Sequence, residues 1–87
     1  MEKFEVLAHI HSLDGEMDKA TILCKEKLFG HEIENSYIAN YKGTLCTAFY
    51  NCIVGHFYVD DEDGILTEFD ENYKNAMRCL KWLYQKN

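Results

Sequence analysis

Hydrophobic residues recur with two different periods in this chain, and the change of period constrains the fold more than any other feature. In residues 3–11 apolar and polar side chains alternate, which is the two-residue period of a strand that buries one face. The predicted inward face of this strand consists of Phe4, Val6, Ala8 and Ile10. In the last third, apolar residues recur every three or four positions from Phe69 to Tyr84, which is typical of an amphipathic helix. We therefore expect a sheet followed by one helix.

Glycines and acidic or amide residues separate the predicted strands, because the chain contains no proline. The Asp14-Gly15 pair permits the positive φ of a hairpin turn, and Lys42-Gly43 is predicted to turn the chain a second time. Residues 26–36 are polar and predict a loop, with a short helical turn within it as the alternative. The acidic tip Asp60–Gly64 closes the last strand. Leu23 falls on the outward face of its strand. The predicted strands cover residues 3–11, 17–25, 37–41, 44–50 and 56–59.

The C-terminal helix is predicted to begin near Thr67, because Thr67 and Asp70 are spaced like a capping box. The apolar stripe of this helix consists of Phe69, Tyr73, Ala76, Met77, Leu80, Leu83 and Tyr84. We expect the stripe to lie across the apolar face of the sheet, because neither surface is buried alone. The predicted fold class is α+β, with four to five short antiparallel strands in a meander packed against one C-terminal amphipathic helix. Residues 1–87 form a single domain.

Fifteen Asp and Glu residues against nine Lys and Arg residues give a formal net charge of −6. This balance disfavours nucleic acid and anionic membranes as partners and suits a basic protein surface. No Lys or Arg occurs from residue 52 to residue 73, where the acidic residues concentrate. The predicted partner-binding carboxylates are Asp60, Asp61, Glu62 and Asp63. The alternative is an acidic surface that only keeps the protein solvated.

Trp82 is placed on the polar side of the predicted helix, about 160° from the centre of the apolar stripe. It lies beside Arg78 and is flanked by Lys74 and Lys81, so this face is the one positive stripe in an acidic chain. A tryptophan in such a position is typical of an interface anchor. The alternative is that Trp82 folds over its neighbours or packs against residues 26–36.

The sequence predicts no catalytic residues, no metal site and no cofactor. His9 and His11 lie on the same side of the first strand, a spacing that can chelate zinc. A closed site needs two more ligands, for which His31, His56 and the cysteines are candidates that no spacing in the sequence selects. Cys46, His56 and Asp60 are the residue types of an activated thiol, yet nothing in their spacing selects them. Phosphate-binding glycine motifs are absent.

The four cysteines are expected to be reduced, because no secretory signal precedes them and cytoplasmic thiols stay reduced. No run of apolar residues is long enough for a membrane helix. We therefore expect a cytoplasmic protein. The cysteines are Cys24, Cys46, Cys52 and Cys79.

Three segments resemble small proteins carried on mobile elements of Gram-positive gut bacteria. They are residues 41–51 (YKGTLCTAFYN), residues 57–61 (FYVDD) with Gly64, and residues 8–16 (AHIHSLDGE). The resemblance implies a bacterial cytoplasmic setting and an accessory or host-interaction role, and it carries over no site residue.

These observations together predict a small acidic, non-enzymatic module that binds another protein or itself. One form of this prediction is an inhibitor whose carboxylates dock on a basic partner surface. The alternative is a module that binds a metal or a small ligand through His9 and His11, with Asp60 or Asp61 as a further ligand.

Overall fold

The computed structural model describes the backbone of residues 1–85 and the side chains of residues 1–80. It contains five strands and one helix, which confirms the predicted α+β meander with a C-terminal helix. A 3-10 turn, His11–Leu13, follows the first strand. The elements are β1 (Phe4–Ile10), β2 (Met17–Leu28), β3 (His31–Tyr41), β4 (Thr44–Asn51), β5 (His56–Ile65) and α1 (Tyr73–Gln85). No helix in this described part of the chain has the length and apolar character to span a bilayer.

The five strands close into a barrel. Each strand pairs antiparallel with the next, so the first and fifth strands of this odd-numbered meander run in the same direction. The closing seam is therefore parallel, and it joins Ala8, His9 and Ile10 of β1 to Phe57, Tyr58 and Val59 of β5. The barrel interior holds one buried cluster. Its members are Ala8, Ile10, Ala20, Ile22, Ala39, Tyr41, Cys46, Ala48 and Val59.

The helix covers a second buried cluster rather than the one inside the barrel. Leu23, which the alternation placed on the outward face, is fully buried there. The register of β2 against β3 shifts between Ile22 and Cys24, so neighbouring residues of β2 serve different clusters. Burial of this second cluster stabilises the position of α1 on the barrel. The cluster contains Leu23, Cys24, Ile38, Leu45, Leu66 and Ala76.

The helix begins later than its sequence pattern predicts. Phe69, assigned to the apolar stripe, precedes α1 and is 89% exposed. The predicted capping box from Thr67 to Asp70 is wrong, because Asp70 Oδ1 instead accepts the backbone N–H of Asn72 at 2.8 Å. Thr67 Oγ1 accepts the N–H of Phe69 at 3.4 Å. Both side chains thus shape the turns before the helix.

The predicted loop at residues 26–36 is also wrong, because β2 continues to Leu28 and β3 starts at His31. The two strands meet at a tight turn in which Phe29 and Gly30 both have positive φ. Pairing of β3 with β4 ends at Ser36 and Phe49, so the hairpin extends past its neighbour. A hairpin tip without a neighbouring strand buries little surface, which explains why its sequence lacks apolar alternation.

Candidate functional site

The acidic segment lies within β5 as a bulge, and it does not close the last strand after Val59 as the sequence predicts. Thr47 of β4 pairs with Asp60, and the next pair joins Cys46 to Ile65. The residues between Asp60 and Ile65 therefore loop out of the sheet. Asp60 Oδ1 organises this loop by accepting the N–H groups of Glu62 at 3.3 Å and Asp63 at 2.9 Å. Residues Asp60–Gly64 are called the acidic bulge below.

Asp61 ties the acidic bulge to the turn after β1. Its carboxylate accepts the backbone N–H of Ser12 at 2.9 Å and the hydroxyl of the same residue. Burial opposes ionisation of Asp61, but the hydrogen bonds from Ser12 outweigh it and lower the pKa of this carboxyl. Asp61 is thus engaged within the protein, although the sequence predicts it as a partner-binding residue.

The other carboxylates of the acidic bulge have no Lys or Arg partner among the described side chains. Glu62 Oε1 lies 3.3 Å from Nε2 of His11, and both side chains are more than half exposed. His11, Asp60 and Asp63 bring potential ligand atoms within 4.8 Å of one another. Carboxylates grouped in this way create a local negative potential that attracts cations.

An open groove of about 720 Å³ lies beside the acidic bulge. Its floor includes a row of rings on adjacent strands, because Phe49 pairs with Tyr58 and Tyr58 pairs with His9. The His9 and Tyr58 rings stack with centroids 4.5 Å apart. Phe49 is 48% exposed and Tyr58 is 39% exposed, so both present ring surface to solvent. Glu26 also lines the groove, and burial, followed by the charge of Asp70, raises the pKa of its carboxyl.

Sequence reasoning missed this aromatic row, although a signal for it exists. Ala48 and Val59 are buried, so alternation places Phe49 and Tyr58 on the outer face of the same strands. Aromatic residues at such positions leave apolar surface in water, which is informative when they lie together.

The histidines are not arranged as the sequence suggests. His11 belongs to the 3-10 turn after β1 and faces Glu62. His9 instead meets His56, with Nε2 of His9 lying 2.8 Å from Nδ1 of His56. The two residues are 47 positions apart, so only the closed seam between β1 and β5 brings them together. No local spacing in the sequence could have identified this pair.

Cys46 is fully buried inside the barrel. Burial raises the pKa of its thiol to about 12, with the charges of Asp61 and Asp60 acting in the same direction. The thiol donates weakly to the carbonyl of Ala39 at 3.9 Å. Cys46 therefore stays protonated and is not an activated nucleophile.

The predicted helix surface is only partly described. The side chain of Trp82 lies outside the described residues. Arg78 is exposed on α1, and so is Lys74. No hydrogen bond or ion pair joins Arg78 to the acidic bulge within the described residues. The two predicted partner-binding regions thus lie on different elements, α1 and β5.

No protein-family model matches this chain, no curated protein is significantly similar to it in sequence, and no solved structure matches it significantly. The geometry of the groove and of the acidic bulge is therefore the basis for assigning a function.

Proposed function

We propose that this chain is a small binding module that recognises a basic segment of a partner protein through the acidic bulge and the aromatic groove. The observation that carries the proposal is the juxtaposition of two features along one surface. The exposed rings of Phe49 and Tyr58 line the same groove as Asp60 and Glu62. These carboxylates have no Lys or Arg partner among the described side chains.

A guanidinium group satisfies both features at once. Its planar face stacks on an aromatic ring, while its N–H groups donate to a carboxylate in charge-assisted hydrogen bonds. Lysine offers a point charge and loses the planar match. We therefore expect the groove to prefer arginine over lysine in an extended basic segment.

The net charge of −6 supports the same proposal. A negative field speeds encounter with a basic partner and repels polyanions. A non-enzymatic, cytoplasmic accessory role fits this chemistry, and docking of the carboxylates in a nucleic-acid-binding channel is one form of it. Trp82 and Arg78 of α1 stay a separate predicted contact surface, for a protein partner or for a second copy of this chain.

Titration with a defined peptide tests the proposal directly. An Arg-Gly repeat peptide is expected to shift the backbone amide signals of Phe49, Tyr58 and Asp60 in two-dimensional NMR spectra, and a matched Gln-Gly peptide is not. Affinity should fall steeply as salt is raised, because the Debye length shrinks from about 10 Å at 0.1 M salt to about 3 Å at 1 M.

Matched variants separate specific recognition from general charge attraction. Glu62→Gln and Phe49→Ala should each weaken peptide binding several-fold. Glu32→Gln and Phe29→Ala, which remove an exposed carboxylate and an exposed ring from the β2–β3 hairpin, should not. Equal losses in all four variants, or binding that survives at high salt, would contradict the proposal.

The groove volume favours small-ligand binding as a second candidate function. About 720 Å³ falls within the range of about 300 to 1,000 Å³ that is usual for small-molecule sites. An uncharged small ligand would perturb Phe49 and Tyr58 without requiring the Glu62 carboxylate, whereas recognition of a basic segment requires it.

A further inference from the structure

We propose that His9 and His56 form a surface site for a divalent transition-metal ion, best suited to Cu²⁺. The ligand atoms are Nε2 of His9 and Nδ1 of His56. We argue this site from contacts other than those that support peptide recognition, although His9 also lies in the row of rings along the groove. The sequence alone predicts no metal site and, as an alternative, a site at His9 and His11.

The first observation is the convergence of two ring nitrogens from strands that are adjacent only because the barrel closes. Nε2 of His9 lies 2.8 Å from Nδ1 of His56. His9 pairs with Tyr58 across the seam, and His56 lies two positions earlier on β5. The two histidines are therefore diagonal neighbours on the outer surface.

The second observation concerns the tautomer of His9. Nδ1 of His9 lies 2.8 Å from the carbonyl oxygen of Gly15. A carbonyl oxygen only accepts hydrogen bonds, so Nδ1 carries the proton and Nε2 of the neutral ring presents a lone pair. Histidines that bind metals are commonly held by such a hydrogen bond from the other ring nitrogen to a backbone carbonyl.

The third observation is the rigidity of the His9 ring. It stacks on Tyr58 with ring planes within 18° of parallel and centroids 4.5 Å apart. Stacking on one side and the Gly15 carbonyl at Nδ1 leave the ring little freedom to rotate. A donor that is already oriented loses less conformational entropy when it binds a metal.

The spacing of the nitrogens is compatible with chelation, and the intrinsic affinity of imidazole for divalent ions favours Cu²⁺. Two metal–nitrogen bonds of about 2.0 Å at a right angle separate the nitrogens by about 2.8 Å, whereas a tetrahedral angle separates them by about 3.3 Å. The 2.8 Å spacing therefore fits two adjacent positions of a tetragonal ion. Such geometry is typical of Cu²⁺ and Ni²⁺, and nitrogen ligands bind Cu²⁺ more tightly than either Ni²⁺ or Zn²⁺.

Without a metal, the same spacing is a hydrogen bond from Nδ1–H of His56 to Nε2 of His9. Binding replaces this hydrogen bond, and the proton of the neutral His56 ring moves from Nδ1 to Nε2. No net proton is released from two neutral rings, and no change of oxidation state is needed. Water occupies the coordination positions that the two imidazoles leave open.

Titration with Cu²⁺ alone, followed by calorimetry and electron paramagnetic resonance, tests the site. The experiment uses the Cys52→Ser protein, because this exposed thiol would itself react with Cu²⁺. We expect one equivalent of Cu²⁺ to bind, with hyperfine splitting from two imidazole nitrogens, and we expect Zn²⁺ to bind at least tenfold more weakly.

The chain has four histidines, so those outside the proposed site provide control variants. His56→Gln should weaken Cu²⁺ binding at least tenfold, and because His56 is exposed the variant should fold, as circular dichroism can verify. His31→Gln at the start of β3 and His11→Gln beside the acidic bulge should bind as the parent does. Unchanged binding by His56→Gln would overturn the proposal, as would loss of binding in His11→Gln or equal affinity for Zn²⁺.

Discussion

Asn72 binds both polar groups of the Lys27 backbone. Nδ2–H of Asn72 donates to the Lys27 carbonyl at 3.0 Å, and the Lys27 N–H donates to Oδ1 of Asn72 at 2.7 Å. Asn72 is the residue before α1 and is only 6% exposed. Glu71 adds a second link, because its carboxylate accepts the N–H groups of Phe29 and Gly30. The start of the helix is thus fixed to the β2–β3 hairpin.

Replacement of Asn72 should therefore destabilise the whole domain. Asn72→Ala removes both hydrogen bonds to the Lys27 backbone, each of which contributes about 0.5–1.5 kcal/mol. Asn72→Asp should cost at least as much, because a carboxylate oxygen would face the Lys27 carbonyl. Urea unfolding measures the effect, with Lys74→Ala on the exposed side of α1 as the control. Equal stability of Asn72→Ala and Lys74→Ala would contradict the assigned role.

Position 64 must be a glycine because a side chain there would clash with neighbouring atoms. A Cβ built on it would lie 2.8 Å from the Asp60 carbonyl oxygen, and still closer to Thr47 Oγ1. Gly64→Ala should destabilise the protein by about 1–3 kcal/mol and perturb the acidic bulge. Gly43→Ala is the contrasting variant, because Gly43 has positive φ but open space around it.

A second substitution distinguishes steric crowding at Gly64 from the backbone strain that a side chain causes at Gly43. Thr47→Ala should partly restore the stability of Gly64→Ala, since it removes one of the crowded atoms, and should not restore Gly43→Ala. Thermal unfolding of the single and double variants measures this coupling. Additive losses from Gly64→Ala and Thr47→Ala would show that the crowding is not what makes the glycine necessary.

The hydrogen bond between Tyr41 and Asp18 should make the free energy of unfolding depend on pH. The Tyr41 hydroxyl donates to Asp18 Oδ2 at 2.7 Å. This hydrogen bond, together with that from the Lys19 N–H, lowers the pKa of Asp18 below its ordinary value of 3.8. The unfolded chain then binds more protons in acid, so this stabilisation is complete above about pH 4 and is lost as the pH falls through the lowered value.

The same hydrogen bond raises the pKa of Tyr41 to about 12, with burial acting in the same direction. The folded protein holds the phenolic proton where the unfolded chain has lost it, so stability should fall as the pH rises from about 10 to about 12. Tyr41→Phe should flatten both limbs of the stability profile measured by urea unfolding. A Tyr41→Phe profile parallel to that of the parent would refute this account.

The cysteines should react with alkylating reagents in an order set by burial. Cys52 is exposed and should be modified first at neutral pH. Burial raises the pKa of Cys46 to about 12 and that of Cys24 to about 11, so both should react only when the protein unfolds. Mass spectrometry after timed labelling measures the order, and Cys52→Ser should abolish the fast phase. Labelling of Cys46 as fast as Cys52 would contradict the structure.

Patterns between neighbouring residues correctly predicted the elements whose formation depends mainly on those neighbours. The alternation in β1 correctly marks Ala8 and Ile10 as core residues. The Asp14-Gly15 and Lys42-Gly43 pairs form turns in which both residues have positive φ. The C-terminal helix is also confirmed, although its first turn lies later than the apolar pattern indicates, because Asn72 and not Thr67 fixes its start.

Features that depend on distant residues were not predictable in this way. The turn at Phe29-Gly30 has no typical hairpin sequence, and the residues around it lack a buried face. The pairing of β1 with β5 covers three residue pairs and leaves no periodic signal of its own. The aromatic groove and the His9–His56 contact both depend on that pairing, so the candidate site was recognised only in part.

The short parallel seam also has a consequence for folding kinetics. The hairpins of this meander form between neighbours in sequence, but the seam joins Ala8–Ile10 to Phe57–Val59 and must wait for a long loop to close. Hydrogen exchange should therefore find protection of the seam amides late in refolding. The groove and the histidine pair form only in molecules in which β1 has paired with β5. A ligand that binds at either place therefore binds only the closed barrel, and by mass action it stabilises that state.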